Sequence, residues 1–361
     1  MMKNISFVFN EGRKKRLSSD RSGPKEFFYS FEKFQKDFPS TTLIEMDVQQ
    51  TGVLSLFFKI IRKFSKIPIF TENLLKISTI RTILKSDILI ATNQNIGYSL
   101  VPFLYFKKKF RPTNLYVFSM GILENIIDSK INKYIIHSLL KNSTKLLFIS
   151  KNEYKNAISI FPNFKNKFKY IPFCIDTDYW HSDVEKTSQK KILFIGNDRF
   201  RNYDLLLEIA KEMPDLSFTL LTNKITECSL ENVKLLNGSW KENKITDFDV
   251  KKLYEENYLT ILPIVETNQP SGQSVCLQSM SLKTPVIISK TKGFWDEDNF
   301  IDDEHIVIVK ENTVEAWVKE IRNLVNNIEK YSLISRNGKV LIDENFNLEI
   351  LYKALKNELI F

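Results

Sequence analysis

Short apolar runs, rich in β-branched and aromatic residues, alternate along the chain with stretches whose apolar positions recur every three or four residues. The first pattern predicts buried strands and the second predicts amphipathic helices. This alternation is typical of βα units on parallel sheets. We expect first-half strands at 5–9, 42–46, 87–92, 114–119, 145–149 and 170–173, and second-half strands at 191–196, 217–222, 233–236, 258–264, 285–290 and 305–309.

The periodicity breaks between residues 176 and 189, where the sequence becomes polar. A chain of 361 residues is also longer than one hydrophobic core usually spans. We therefore predict an α/β domain over residues 1–175 and a second one over residues 176–345. Residues 346–361 are predicted to form a final helix that could pack on either domain, including back on the first.

The composition is that of a globular protein, since 43% of the residues are hydrophobic and 26% are charged. Three cysteines without a CxxC pair argue against a disulfide framework or a zinc site and favour a reducing compartment. The first residues resemble a strand more than a secretory signal, and no apolar run approaches the ~18 residues of a spanning helix. We expect a cytoplasmic protein.

Charge is divided unevenly between the two halves. Residues 1–175 carry 29 basic against 12 acidic residues, a net charge of +17, whereas the remainder carries −8. The first half is therefore expected to face a membrane surface, a nucleic acid or a phosphorylated acceptor. The acidic second half, and the lack of any RRM, KH or helix-turn-helix signature, speak against nucleic acid.

A first candidate site lies after the strand that ends at Ile264, in the loop VETNQPSGQ. Ser271 is predicted to cap a helix over residues 273–282, and Gly272 lets a ligand approach the backbone. The amide groups of Gln273 and Ser274 would then point at an anion such as phosphate. The alternative is an ordinary capped turn.

A second candidate lies after the strand KILFIG, in the loop NDRFRN, which carries Arg199 and Arg201. Guanidinium groups at the carboxyl end of a parallel strand could clamp a diphosphate opposite the helix start. Two solvated loop arginines are the alternative.

Together these segments resemble a known family over about residues 170–345. The stretches KKILFIGNDRFRNYDLLLEIA, VKLLNGSW, LYEENYLTILPI and SGQSVCLQSMSLKTPVIISKTKG occur in the order and spacing of the retaining "group 1" GT-B glycosyltransferases, and YIPFCIDTDYW resembles their hinge. The resemblance implies two Rossmann-like domains facing each other across a cleft. It also implies sugar transfer from a nucleotide sugar to a glycan or lipid-linked acceptor, in cell-surface polysaccharide or glycolipid synthesis, with no cofactor and no metal.

By this resemblance the second domain binds the donor. The implied donor-binding residues are Arg199, Arg201, Gly238, Trp240, Glu266, Ser271, Gly272, Gln273, Ser274 and Gln278, with Ser239 beside the base. The family's two glutamates, which have seven residues between them, are replaced here by Pro270 and Gln278, which leaves the retaining outcome open. Glu266 is a substitute that could reach the sugar, and no catalytic residue is assigned.

The first domain is expected to hold the acceptor. Gly12 and the basic cluster that begins at Arg13 follow the first strand, where they would attract anions. The segment VLSLFFKIIRKFSKIPIF predicts a basic amphipathic helix with Lys59, Arg62, Lys63 and Lys66 on one face, which could lie on an anionic membrane or pack on the core. Lys107, Lys108, Lys109 and Arg111 form a second basic neighbourhood.

Two other functions remain open at this point. A GT-B nucleotide-sugar epimerase would use the same donor site without an acceptor, and a nucleic-acid-binding protein would use the basic half. A nicotinamide dehydrogenase is disfavoured, because no GxGxxG follows the first strand of either domain.

Overall fold

The computed structural model describes residues 3–19, 23–47, 52–107, 112–125, 129–184, 189–239 and 245–359. These residues form two compact units, each built on one six-stranded sheet. The first unit lies within the bounds 1–22, 27–172 and 351–361, and the second within 23–26 and 173–350.

Every strand pair in the first sheet is parallel, and the strand order is β2-β1-β3-β4-β5-β6. Its strands are β1 (Ile5–Phe9), β2 (Thr42–Glu45), β3 (Ile88–Ala91), β4 (Asn114–Ser119), β5 (Lys145–Phe148) and β6 (Phe168–Tyr170). The helices of this part of the chain are α1 (Arg13–Ser19), α2 (Phe31–Asp37), α3 (Val53–Ser65), α4 (Ile77–Lys85), α5 (Gln94–Lys107), α6 (Lys130–Asn142) and α7 (Lys151–Ile160). The central strands are buried on both sides, which explains their continuous apolar sequences.

The second sheet is also parallel throughout, with the order β12-β11-β10-β7-β8-β9. Its strands are β7 (Lys191–Ile195), β8 (Ser217–Thr222), β9 (Val233–Asn237), β10 (Leu259–Leu262), β11 (Val286–Ser289) and β12 (Val307–Val309). The later helices are α8 (Tyr203–Lys211), α9 (Asp247–Glu256), α10 (Gln273–Ser281), α11 (Val314–Asn326), α12 (Ile328–Asn345) and α13 (Leu348–Glu358). Because β7 lies inside the sheet between β10 and β8, the loops after β7 and β10 leave from neighbouring positions on one edge.

The prediction of two parallel α/β sheets is confirmed. Eleven of the twelve strands form at the expected places, with ends that shift by up to two residues. The exception is the sixth, which was predicted over residues 170–173. The structure places it at Phe168–Tyr170, because the register with β5 pairs Phe168 with Leu146 and ends at Tyr170.

The units differ from the predicted bounds at three short segments, one of which, residues 173–175, belongs to the second unit. Residues 23–26 belong to the second unit, because Lys25 N donates to Asp176 Oδ2 at 3.1 Å and the Glu26 carboxylate is buried beside Trp180. Residues after Ile350 belong to the first unit, where Tyr352 packs edge-on against Phe34 with ring centroids 4.9 Å apart.

Candidate functional site

Arg201 lies in the loop after β7, and hydrogen bonds to the chain after β10 fix that loop. Asn202 N donates to the carbonyl of Pro263 and Val265 N donates to that of Phe200, both at 2.9 Å. Arg201 and Ile264 thereby form an isolated antiparallel bridge. The two loops singled out in the sequence are therefore joined directly at the edge of the second sheet.

The guanidinium group of Arg201 lies against the residue that precedes α10 by two positions. Arg201 Nη1 donates to Ser271 Oγ at 2.7 Å and lies 3.2 Å from Asp198 Oδ2. Ser271 Oγ in turn donates to Asp198 Oδ1 at 3.1 Å. We call Asp198, Arg201, Ser271 and Gly272 the arginine cluster.

Arg201 is held in this cluster against the cost of burying a charge. Its side chain is only 3% exposed, whereas that of Asp198 is 43% exposed. Burial lowers the pKa of Arg201, and the negative charge of Asp198 opposes that shift. Its Nε has no hydrogen-bond partner among the described residues. A buried cation with an incompletely satisfied donor set is typical of functional sites.

Two glycines make room for the guanidinium. A Cβ at Gly196 would lie 2.4 Å from Arg201 Nε, and a Cβ at Gly272 would lie 3.3 Å from Arg201 Nη1. Gly272 also has φ of +84°, a conformation that favours glycine. Gly196, which directly follows β7, therefore leaves the space that the side chain of Arg201 occupies.

The start of α10 differs in detail from the expected cap. Gly272, not Ser271, occupies the N-cap position, because the hydroxyl of Ser271 is engaged by Arg201 and Asp198. Gln273 N makes a long contact of 3.4 Å with the carbonyl of Pro270, and the first full helical bond runs from Cys276 N to Gly272. The amides of the first turn have no acceptor within the helix, so their dipoles favour an anion beside Arg201.

Asn197 connects the ends of three strands through its side-chain amide. The sequence analysis did not select it as a site residue. Its Nδ2 donates to the carbonyl of Gly238 at 2.7 Å, and its Oδ1 accepts from Asn223 N at 2.7 Å and from Thr222 Oγ1 at 3.2 Å. Gly238 therefore lies at the same edge as the arginine cluster. The only signal was that Asn197 directly follows a strand.

Comparisons with known proteins rest on structure alone. No family model matches the sequence, and no curated protein matches it. HepE from Anabaena, in complex with UDP and glucose, superposes with a TM-score of 0.68 at 10% identity over 98% of each chain. Sucrose-phosphate synthase from Thermosynechococcus elongatus gives a TM-score of 0.65 at 12% identity over 98% of this chain and 96% of its own.

A TarM variant from S. aureus, in complex with fondaparinux, α-GlcNAc-glycerol and UDP, gives a TM-score of 0.59 at 16% identity. That match covers 78% of this chain and 58% of TarM. The matches to HepE and to sucrose-phosphate synthase cover 98% of this chain and therefore extend over both of its sheets. The chain has the GT-B fold.

Within this GT-B protein, two other predicted residues, Arg199 and Glu266, do not join the arginine cluster. Arg199 is exposed and lies over the ring of Phe200, with its guanidinium carbon 4.7 Å from the centroid, so no clamp of two arginines forms. Glu266 is exposed and accepts from Lys292 N at 2.9 Å, which ties two loops together. Trp240 lies outside the described residues.

Gln278 takes part in a buried polar network on the inner part of α10. Its Nε2 donates to Glu26 Oε1 at 3.0 Å, and its Oε1 accepts from the hydroxyl of Tyr254 at 3.2 Å. Trp180 Nε1 donates to the same oxygen of Glu26 at 2.9 Å. Both ends of the Gln278 amide are thus used within the protein, which differs from the role implied by the resemblance.

Glu26 is the least expected member of this network, since it comes from residues 23–26 of the N-terminal half. Its carboxylate is fully buried, and Oε2 has no hydrogen-bond partner among the described residues. Burial raises the pKa of Glu26 to about 7, and the hydrogen bonds from Trp180 and Gln278 oppose that rise. The second unit of the GT-B protein thus contains a buried group that titrates near neutral pH.

The residues predicted for the acceptor side lie in two places, at the start of α1 and along α3. Gly12 has φ of +89° and precedes α1, where Arg13 N donates to Glu45 and the Arg13 guanidinium lies 5.4 Å from the Phe27 ring centroid. Lys59, Lys63 and Lys66 are exposed on or just after α3. Arg62 does not share their face: it is paired with Glu72 at 2.7 Å.

The remaining basic residues, Lys108, Lys109 and Arg111, lie outside the described residues, and Lys107 is the last residue of α5. Among the described residues no group of His, Cys, Asp and Glu is arranged to hold a metal ion. No described helix is both long and apolar enough to cross a bilayer.

Proposed function

We propose that the protein is a glycosyltransferase that moves a sugar from a nucleotide-sugar donor to a glycan or lipid-linked acceptor. The observation that carries this proposal is the contact of 2.7 Å between Arg201 and Ser271 at the start of α10. It places a buried cation beside the positive end of a helix, at the carboxyl edge of a parallel sheet. HepE, with UDP and glucose, and TarM, with UDP, have the same fold and support a nucleotide-diphosphate donor.

The chemistry follows from where charge develops. When the bond between the anomeric carbon and the diphosphate oxygen breaks, that oxygen gains negative charge while the acceptor oxygen bonds to the anomeric carbon. Arg201 and the first amides of α10 stabilise this charge in a largely water-excluded position. The acceptor's hydroxyl proton passes to the departing phosphate in the retaining mode that we propose, so no separate base is required.

Positive charge for the leaving group comes from the chain itself, so we propose that transfer needs no metal ion. In this account Asp198 pairs with Arg201 before the donor arrives, and the diphosphate then takes over part of the interaction. Because Asp198 is 43% exposed, it can turn towards solvent at a low cost.

The acceptor is assigned to the first unit, because residues 1–175, which supply nearly all of that unit, carry a net charge of +17. We propose an anionic, lipid-linked or surface glycan acceptor in cell-surface polysaccharide or glycolipid synthesis. The enzyme would then act from the cytoplasm as a peripheral protein on the inner face of the membrane.

The proposal is tested by melting the protein with UDP, GDP, ADP, dTDP and the corresponding sugar nucleotides. Ligands that bind only the folded form raise the melting temperature. The stabilising donor is then incubated with acceptor extracts, with and without EDTA, and the anomeric configuration of the product is read by NMR. Failure of every nucleoside diphosphate to stabilise the protein would refute the proposal, and conversion of the sugar nucleotide without an acceptor would identify an epimerase.

A further inference from the structure

One face of helix α3 packs against the core of the first unit. Phe58 and Ile61 pack against the buried core, and Ser65 is buried. Arg62 belongs to the same side, because it pairs with Glu72 and its guanidinium lies 4.6 Å from the centroid of the Phe70 ring. These contacts fix the rotation of the helix about its axis.

The opposite side of α3 is apolar and open to solvent. Val53, Phe57, Ile60 and Phe64 follow one another at steps of four, three and four residues, which places them in one row along the helix. Val53 is 86% exposed, Phe57 54% and Phe64 65%. Monomeric proteins rarely expose a continuous apolar row of this length unless it meets a partner.

A row of lysines runs beside this apolar row. Lys59 and Lys63 are exposed on α3, and the exposed Lys66 follows its last residue. Their spacing of four and three residues keeps them on one side of the helix. The helix thus has three faces, one packed on the core, one apolar and one basic.

Helix α6 begins beside the end of α3 and carries further exposed apolar and basic residues. Asn132 Nδ2 donates to the carbonyl of Ser65 at 3.0 Å, which brings the start of α6 to the end of α3. Next to Asn132, Ile131 is 48% exposed, and Tyr134 is also exposed, while Lys130 and Lys133 add positive charge there. We call the exposed residues of α3 and of the start of α6 the apolar-basic surface.

We propose that the apolar-basic surface docks the protein on a bilayer that contains anionic lipids. A helix with an apolar row beside a lysine row fits the boundary between acyl chains and headgroups, where the apolar side chains lie below and the ammonium groups reach the phosphates. Aromatic Tyr134 suits the same interface. This inference extends the membrane location in the proposed function to named residues, and it concerns residues other than those of the arginine cluster.

The experiment is flotation with vesicles of phosphatidylcholine alone and of phosphatidylcholine with phosphatidylglycerol. The wild type should float with the anionic vesicles at low salt, and Phe57→Glu/Phe64→Glu should bind at least about tenfold more weakly. Lys59→Gln/Lys63→Gln should weaken binding by roughly fivefold per lysine. Ile328→Glu, at a position 66% exposed in the second unit, is the matched control and should bind as the wild type does.

Insertion itself is read with Phe57→Trp, whose fluorescence should be quenched by brominated acyl chains. Flotation of Phe57→Glu/Phe64→Glu at the wild-type level would overturn the proposal. So would a wild-type dimer that this variant converts to monomers without any vesicle binding, because the surface would then join two copies. Nucleoside-diphosphate binding should survive in the variant, so a failure of the donor chemistry is seen separately.

Discussion

Arg201 Nη1 lies 2.7 Å from Ser271 Oγ, although 70 residues separate the two along the chain. The backbone bridge between Arg201 and Ile264 brings the two loops together. The contact also requires glycine at position 196, because a Cβ there would overlap the side chain of Arg201. A buried guanidinium is thereby presented beside the first turn of α10. Everything proposed about the donor depends on this pair.

Substitution of Gly196 by Ala should displace Arg201. The new Cβ would lie 2.4 Å from Nε, so the side chain or the strand end must shift, and overpacking of this kind costs about 1–3 kcal/mol. We expect a lower free energy of unfolding, measured by urea denaturation, and weaker binding of nucleoside diphosphates. In an Arg201→Ala background the same substitution should cost little, and an equal cost in both backgrounds would show that the clash lies elsewhere.

Asp198 is predicted to compete with the donor for Arg201. Asp198→Asn keeps an oxygen for the hydrogen bond from Phe200 N but removes the negative charge. Nucleoside diphosphates should then bind a few-fold more tightly, while the unliganded protein loses about 1–3 kcal/mol, because the buried Arg201 guanidinium keeps no counter-charge in the arginine cluster. Calorimetry checks the affinity, with Asp178→Asn as an exposed control, and weaker binding in Asp198→Asn would contradict the competition.

Glu26 should make stability depend on pH. Its pKa is about 7 in the folded protein and near 4.5 in the unfolded chain, so the folded state holds its proton over a range in which the unfolded state releases it. The contribution is fully present below about pH 4.5 and is lost as the pH rises to about 7. Each unit of the shift corresponds to about 1.4 kcal/mol.

The Glu26→Gln variant isolates this contribution, because it keeps an oxygen for Trp180 and Gln278 without the charge. Its melting temperature relative to the wild type should rise between pH 5 and pH 8. Some pH dependence will persist, since burial also raises the pKa of Glu153 to about 7. A difference that stays constant across this range, or one equalled by Glu311→Gln, would count against a buried titrating carboxyl at Glu26.

The sequence was most informative where one local rule decides the outcome. Strands such as Ile88–Ala91 are buried on both sides, so their apolar runs are visible without knowledge of the fold. Arg201 and Gly272 could be selected because loops at the carboxyl ends of parallel strands share one edge. Periodicity also located α3, yet it grouped Arg62 with the lysines, because only the tertiary fold brings Glu72 to it.

The sequence did not predict side-chain contacts between residues that are far apart along the chain. Glu26 meets Gln278 across 252 positions, and no local pattern marks either residue as a member of a buried network. Ser271 was expected to cap α10 because serine commonly does so, but its hydroxyl is used by an arginine 70 residues away. At Ser271 a local preference is thus overridden by a charged group that must be satisfied on burial.

The most direct test is the affinity of the stabilising nucleoside diphosphate for the wild type, Arg201→Ala and Arg199→Ala, measured by calorimetry on variants with native circular dichroism. Loss of charge-assisted hydrogen bonds at Arg201 should cost about 1.5–3 kcal/mol, or roughly 10- to 150-fold in Kd. The exposed Arg199 should change Kd by less than about twofold. Equal affinity of Arg201→Ala and the wild type would contradict the assignment of the arginine cluster to the donor diphosphate.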